Sequence, residues 1–417
     1  MRQNKNLHLL IGSQLFSVLG TTIVQFVISL YVLDITKSAF TFSVITSLSV
    51  VGRLVCLPFC GVLADRLPKR NLMLFMDFLY LVLSIGLFLV TRLANPVTAI
   101  GLLTVIIGMV SAFETPVVQS AIPVICSEGE VPRANGIISS IGTLGTVLGP
   151  ILAGMIYRFE AVYQIFLITG VLFLVAIFCE VLLKIPVQAQ TAIEGSLVKV
   201  VTGDLKEVTH YLKVQKVIVR VAVVAFMLNF FLASFIQVIV PYVSRIQLGV
   251  SDAQFGLMNT LFAIGSLLGT IIYGVLANRL NETSITKNLI LVAILFGLLI
   301  IPFGLIQEPT MAFWVMTLLV ASAMGVVTVI SVQLIVYIQL VSDKALLGRI
   351  MSLVMIVTTL AVPLGQVMYG GFAAMASGEM LLLLIIATSL VTVVIAFFSI
   401  KIFRHCLLYT SPSPRDA

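Results

Sequence analysis

The amino-acid sequence predicts an all-α membrane protein with about twelve transmembrane helices in two parallel six-helix halves, and three observations carry that expectation. The 417 residues are 60% hydrophobic and 10% charged, with a mean hydropathy of +1.18, more apolar surface than a soluble core can hide. The apolar residues fall in continuous runs of about 20, enough to cross about 30 Å of hydrocarbon as a helix, where a barrel would show short alternating segments. A stretch of sequence also recurs in the second half at a constant offset.

The first span is expected over Leu7–Leu33, after Arg2 and Lys5 and before Asp34 and Lys37. It is too long for the apolar core of a cleavable signal peptide and has no small-residue cleavage site. Phe40–Leu63 follows and stops at the charged string before Asn71–Val90. Val97–Ile122 is bracketed by Pro96 and Pro123, and Ile137–Tyr157 is rich in small residues. Val162–Leu183 closes the first half. The second half repeats the pattern with Val217–Tyr242, Gln254–Ala277, Lys287–Ile306, Met311–Leu340, Ile350–Met375 and Met380–Ile400.

The interval between the halves, with Lys184, Lys199, Lys206, Lys213 and Lys216, is the longest polar stretch. Within it Leu197, Val201, Leu205, Val208 and Leu212 fit either an amphipathic helix on the inner leaflet or a solvated linker. The expected organisation is therefore a first half over 1–184, a cytoplasmic linker over 185–216 and a second half over 217–405. The ending 406–417, "CLLYTSPSPRDA", resembles translated sequencing-adapter DNA and is set aside as non-native.

Nineteen of the 24 Lys and Arg residues fall on one side of these spans. Lys37, Arg92, Arg158 and Arg245 fall on the other, and Arg53 lies within a span. That asymmetry predicts a multi-pass protein of the plasma membrane with both termini cytoplasmic, and it draws the net charge of +7 toward lipid rather than nucleic acid. Cys56, Cys60, Cys126, Cys179 and Cys406 form no ligand set with His, so no metal is expected, and no cofactor motif occurs.

The recurring stretch is "GRLVCLPFCGVLADRL" from Gly52 against "GSLLGTIIYGVLANRL" from Gly265, with eight of sixteen positions identical. Pro150 and Pro363 stand at the same offset, so each anchor recurs in the same span of its half, and the halves are parallel. The second copy replaces Asp65 with Asn278.

"GVLADRLPKR", from Gly61, resembles the signature loop between the second and third spans of the major facilitator superfamily, with Pro68 where that family usually has Gly. The resemblance covers Leu7 to Phe403 and implies a conformational latch built from Gly61, Asp65, Arg66, Lys69 and Arg70, with Asp77 close by. "GTVLGPILAG", from Gly145 to Gly154, resembles that family's antiporter signature, with Ala153 replacing a Gly. Its Gly145, Gly149, Pro150 and Gly154 imply export, although an ordinary small-residue interface has the same appearance. Within the superfamily, "LGTTIVQFVISLYVLDITKSA", "FETPVVQSAIP", "RANG" and "LLGRIMSL" look most like macrolide and multidrug efflux carriers of Gram-positive bacteria. Val118 stands where those carriers usually have Arg.

Ionisable groups inside spans are costly and so mark candidate sites. Glu114 and Arg53 sit at similar depth in the fourth and second spans and are expected to pair, as a proton-coupling site or as a structural link. Glu180 is expected to form an interfacial pair with Lys184, and Asp77 to join the loop network near Arg70. On the first span Gln14, Ser17, Thr21 and Gln25 recur at spacings of three and four. The resemblance places them in a substrate cavity with Asn229 and Gln237 of the seventh span and Gln333 and Tyr337 of the tenth. For each, helix-to-helix hydrogen bonding is the alternative.

These readings point to a secondary transporter, not an enzyme, since His8, His210 and His405 form no catalytic set and no phosphate-binding loop supports ATP drive. The expected partners are a small hydrophobic or amphipathic substrate, protons and the lipid bilayer, with no nucleic acid, and the chain is expected to act as a monomer. The expected activity is proton-coupled efflux of drugs or macrolide-like compounds. Export or import of a metabolite or siderophore on the same scaffold is the alternative.

Overall fold

The computed structural model describes residues 2–126, 130–158, 161–185, 215–276, 279, 282–342, 347–374 and 378–404. Among them there are twelve helices long and apolar enough to cross a membrane, and no strands. The first six are α1 (Arg2–Thr36), α2 (Ala39–Arg66), α3 (Lys69–Val90), α4 (Val97–Ile125), α5 (Val131–Ile156) and α6 (Val162–Leu182). The next six are α7 (Lys216–Gln247), α8 (Asp252–Leu276), α9 (Glu282–Leu298, with a wide turn at Ile301–Leu305), α10 (Pro309–Val341), α11 (Leu347–Ala374) and α12 (Gly378–Arg404). The linker helix considered over 197–212, Asn278 and the tail 406–417 lie outside the described residues.

Helix ends follow local chemistry. Between α1 and α2 the chain turns at Lys37, with φ of 51°, and the Ser38 hydroxyl caps α2 by accepting from the Thr41 amide at 3.2 Å. At the start of α10 the carboxylate of Glu308 accepts from the amides of Met311 and Thr310. Those bonds, the Met311 amide foremost, hold its carboxyl below the usual range.

The chain forms two compact units, Met1–Gly203 with Ser251–Thr260, and Asp204–Val250 with Leu261–Ala417. In the first, α2 packs on α4, α3 on α4 and α6, and α1 on α5 and α6. The second has the counterpart pairs α9 on α10 and α12, and α7 on α11. Side chains are arranged as lipid demands: on α3 the inward face holds Asp77, Tyr80 and Ser84, while Phe75, Phe78 and Leu89 are exposed.

The recurring sequence has a packing counterpart in each unit. A Cβ on Gly52 would strike the Val105 carbonyl oxygen of α4, and one on Gly108 the Ser49 carbonyl of α2. In the second unit a Cβ on Gly265 would strike the Ala321 carbonyl of α10, and one on Gly269 the Gly325 carbonyl. In both units, glycine is what allows the second helix to lie against the fourth, backbone on backbone. Gly274, the repeat mate of Gly61, is different: no described atom comes within 4 Å of its would-be Cβ.

Candidate functional site

Helix periodicity places Asp77, Tyr80 and Ser84 on one face of α3, and each meets a polar group from another helix. The Ser17 hydroxyl of α1 donates to Asp77 Oδ1 at 2.6 Å. Tyr80 donates from its hydroxyl to Glu114 Oε1 of α4 at 2.6 Å. Ser84 and Thr169 of α6 are 3.3 Å apart. The Tyr80 ring stacks on Phe173 of α6, with centroids 5.2 Å apart, and a Cβ on Gly20 would come within 2.8 Å of that phenylalanine. Gly20 thus leaves room for the ring that aims Tyr80 at Glu114.

Two expectations are corrected here. Glu180 makes no ion pair with Lys184 among the described residues. It shares the buried face of α6 with Thr169, Phe173 and Ala176 and is 1% exposed, because that face packs on α3. Asp77, 3% exposed, does not join Arg70; it bonds Ser17 and lies within hydrogen-bonding reach of Glu180. Arg70 is instead occupied at the C-terminus of α6, donating from Nε to the Glu180 carbonyl at 3.1 Å and from Nη2 to the Val181 carbonyl at 2.5 Å. A cation satisfying the last carbonyls of a helix also complements its dipole.

Arg53 and Glu114 are both half-buried, and no ion pair joins them among the described residues, so the expected contact pair is replaced by Tyr80. The Arg53 charge acts on Glu114 through space. Of the other loop residues, the side chains of Asp65 and Arg66 lie outside what is described, and Lys69 stands at the first position of α3.

The antiporter-like stripe of α5 is packed along its length. A Cβ on Gly145 would strike Val18 and one on Gly149 would come within 2.5 Å of Thr22 Oγ1, both on α1. A Cβ on Gly154 would lie 2.6 Å from the Asp252 carbonyl at the start of α8, and Gly256 of α8 meets the Pro150 carbonyl. Thr260 donates to the Val147 carbonyl at 3.0 Å.

The substrate-facing candidates of α1 separate. Ser17 turns to Asp77, Thr21 is buried and donates to the Val18 carbonyl, Gln14 is half-buried and Gln25 is exposed. At 100° per residue these four positions spread over about 80° of the helix, so its two edges meet different neighbours. In the second unit Asn229 donates to the Ala225 carbonyl, and the exposed Gln237 accepts from Gln366 of α11 at 2.9 Å. Gln333 is buried and accepts from Asn288 of α9 at 3.4 Å, while Tyr337 is half-buried. The Phe226 and Phe230 rings stack at 6.0 Å. Sequence reasoning did not find Tyr80 as the partner of Glu114. The recurrence of Asp77, Tyr80 and Ser84 at spacings of three and four is the signal that could have found it.

The comparisons with known proteins agree with this architecture. Residues 10–366 match the family model of the Major Facilitator Superfamily. The chain is 22% identical over 366 residues to macrolide efflux protein A of Streptococcus pyogenes, covering 87% of this chain and 88% of that protein. It is 26% identical over 322 residues to multidrug resistance protein MdtG of Escherichia coli, covering 74% and 72%. Among solved structures, a bacterial homolog of the human lysosomal transporter Spinster matches with a TM-score of 0.75 at 17% identity, covering 98% and 99%. The nucleoside transporter NupG, as its D323A mutant, matches at 0.76 and 14%, covering 95% and 100%. With its twelve spans, its paired halves and a family match over most of its length, this chain is a multi-pass membrane transporter and belongs to the major facilitator superfamily.

Proposed function

We propose that this transporter exports hydrophobic or amphipathic organic compounds, macrolide-like drugs among them, in exchange for protons. It does so as a monomer in the plasma membrane, with both termini cytoplasmic, by alternating access of two six-helix halves, 1–184 and 217–405. The observation that carries this reading is similarity over 87% and 74% of the chain to proteins named for macrolide efflux and multidrug resistance. The close-packed antiporter-like stripe of α5 supports export, and Glu114, an intramembrane carboxyl hydrogen-bonded to Tyr80, supplies a group able to take and give a proton. Expression in a host deleted for its own efflux pumps is expected to raise tolerance to macrolides and lipophilic cations, and an uncoupler is expected to remove the gain. Unchanged susceptibility across such a panel would reject the reading.

The latch belongs to the same proposal. A charged Asp65 latches one of the two states, whereas Asn278 offers hydrogen bonds without charge. Asp65→Asn is expected to slow export by about tenfold or more, equivalent to about 1.4 kcal/mol on the barrier, at unchanged membrane abundance. Asn278→Asp and Asn278→Ala are expected to be tolerated far better. Initial export rates normalised to protein amount decide the point, and equal losses at both positions would assign the repeat to packing alone.

A further inference from the structure

The first unit also holds a pair of carboxyl groups, which the reading above does not use. Asp77 of α3 and Glu180 of α6 are 3% and 1% exposed, and their side chains lie within hydrogen-bonding reach of each other. Ser17 satisfies Asp77 Oδ1, yet Asp77 Oδ2 and Glu180 Oε2 are both buried with no hydrogen-bond partner among the described residues. An ionised carboxylate only accepts hydrogen bonds, and two like charges in contact away from water do not both ionise. What the two orphaned oxygens lack is a single hydrogen.

Among the described residues, the surrounding groups offer no other donor to those oxygens. From α3, Arg70 is committed to the backbone carbonyls of Glu180 and Val181. On α6, Cys179 is adjacent in sequence, and Lys184 beyond its end is exposed, its backbone tied to Asn6 of α1. α1 contributes the Ser17 hydroxyl, already directed at the other oxygen of Asp77. Tyr80 of α3 gives its hydroxyl to Glu114 of α4, which adds a further acid to the neighbourhood, and Arg53 of α2 acts on that couple through space.

We propose that Asp77 and Glu180 hold one proton between them, making a proton-binding site distinct from Glu114 and anchored to α1 by Ser17. The two carboxyls stand on different helices, so a shift of α6 against α3 that admits water would part them. The shared O–H bond then breaks, the proton passes to water, and two hydrated carboxylates remain; closing the pair takes one proton back. Any part of this site in transport rests on the proton-exchange reading above, but its occupancy by a proton does not.

The test is infrared spectroscopy of the purified full-length protein in liposomes at neutral pH, following the carbonyl stretch of protonated carboxyl groups and its shift in deuterated water. A band that persists in Glu114→Gln and disappears when Asp77→Asn and Glu180→Gln are combined with it is expected. No such band in Glu114→Gln would overturn the proposal, as would a band abolished by sodium, which would mark a metal-cation site. Should the triple variant fail to fold, Ser17→Ala in the Glu114→Gln background takes its place. Losing the hydroxyl hydrogen bond is expected to move the band, and an unmoved band overturns the assignment. If the wild-type protein drives no drug transport under a proton gradient, the export reading fails while the infrared result still decides this one.

Discussion

With glutamine in place of Glu114, proteoliposomes under a proton gradient are expected to equilibrate a macrolide-like substrate but no longer to accumulate it. The structural basis is narrow and specific. Glu114 Oε1 accepts the Tyr80 hydroxyl at 2.6 Å, and the carbonyl oxygen of a glutamine can accept the same bond. The substitution therefore removes the titration while keeping the shape, the hydrogen bond and the stacking of Tyr80 on Phe173. Substrate binding and counterflow, which need no net proton movement, are expected to survive. Glu114→Ala is a harsher change, because it orphans the buried Tyr80 hydroxyl at a cost of about 1–3 kcal/mol and confounds coupling with stability. Arg53 acts on Glu114 across space without contact, so Arg53→Gln is expected to displace the pH profile of transport rather than scale its rate uniformly. Uphill accumulation that survives Glu114→Gln would remove the assignment, leaving Asp77 and Asp34 as the next carboxyls to test. Asp34 is held at the end of α1 by the Tyr157 hydroxyl at 2.9 Å and by Lys37 at 3.7 Å.

How much of this was legible beforehand depended on which physical signal each feature leaves in the sequence. Twelve apolar runs, interrupted by Pro, Gly and charge, locate twelve helices, but they mark where hydrocarbon ends rather than where hydrogen bonding ends. Thus α1 extends to Thr36, past the last residue of its apolar run at Leu33, and α5 begins at Val131, before Ile137. The α5 glycines were readable as a packing surface, since small residues four apart serve close helix contact wherever they occur. The acids were harder. Proximity in sequence suggested Arg70 for Asp77 and Lys184 for Glu180, whereas helix periodicity turned both acids inward and left Arg70 to the backbone of α6. Partner choice between helices is a tertiary property, and one sequence supplies the faces without saying which faces meet. Ser17 shows the limit well: it shares a stripe with Gln14 and Gln25, yet its position at the edge of that stripe directs it to α3.

Alanine at Gly52, Gly265 or Gly269 of the repeated stretch, and at Gly108 of α4, is expected to cost more folded protein than alanine at Gly274. The would-be Cβ of each of these four residues points into a backbone carbonyl of the facing helix, and a backbone cannot swing aside as a side chain can. Relief requires α2 to move from α4, or α8 from α10, losing contacts along the whole crossing. Overpacking of this kind typically costs about 1–3 kcal/mol, a large part of the margin of a marginally stable fold. Gly274 supplies the internal control, because it belongs to the repeated letters but meets no described atom within 4 Å. Gly136 and Gly142 are equally free and extend the control to the first unit. Thermal unfolding in detergent, followed by size-exclusion chromatography, should therefore sort six variants into two groups: Gly52→Ala, Gly108→Ala and Gly265→Ala low, and Gly136→Ala, Gly142→Ala and Gly274→Ala near the parent. If Gly274→Ala falls with the first group, the seven recurring letters around it serve packing, and a latch is no longer needed to explain their recurrence. If it stays with the second, packing accounts for the glycines that open the repeat, while the end that differs, Asp65 against Asn278, is left to the latch.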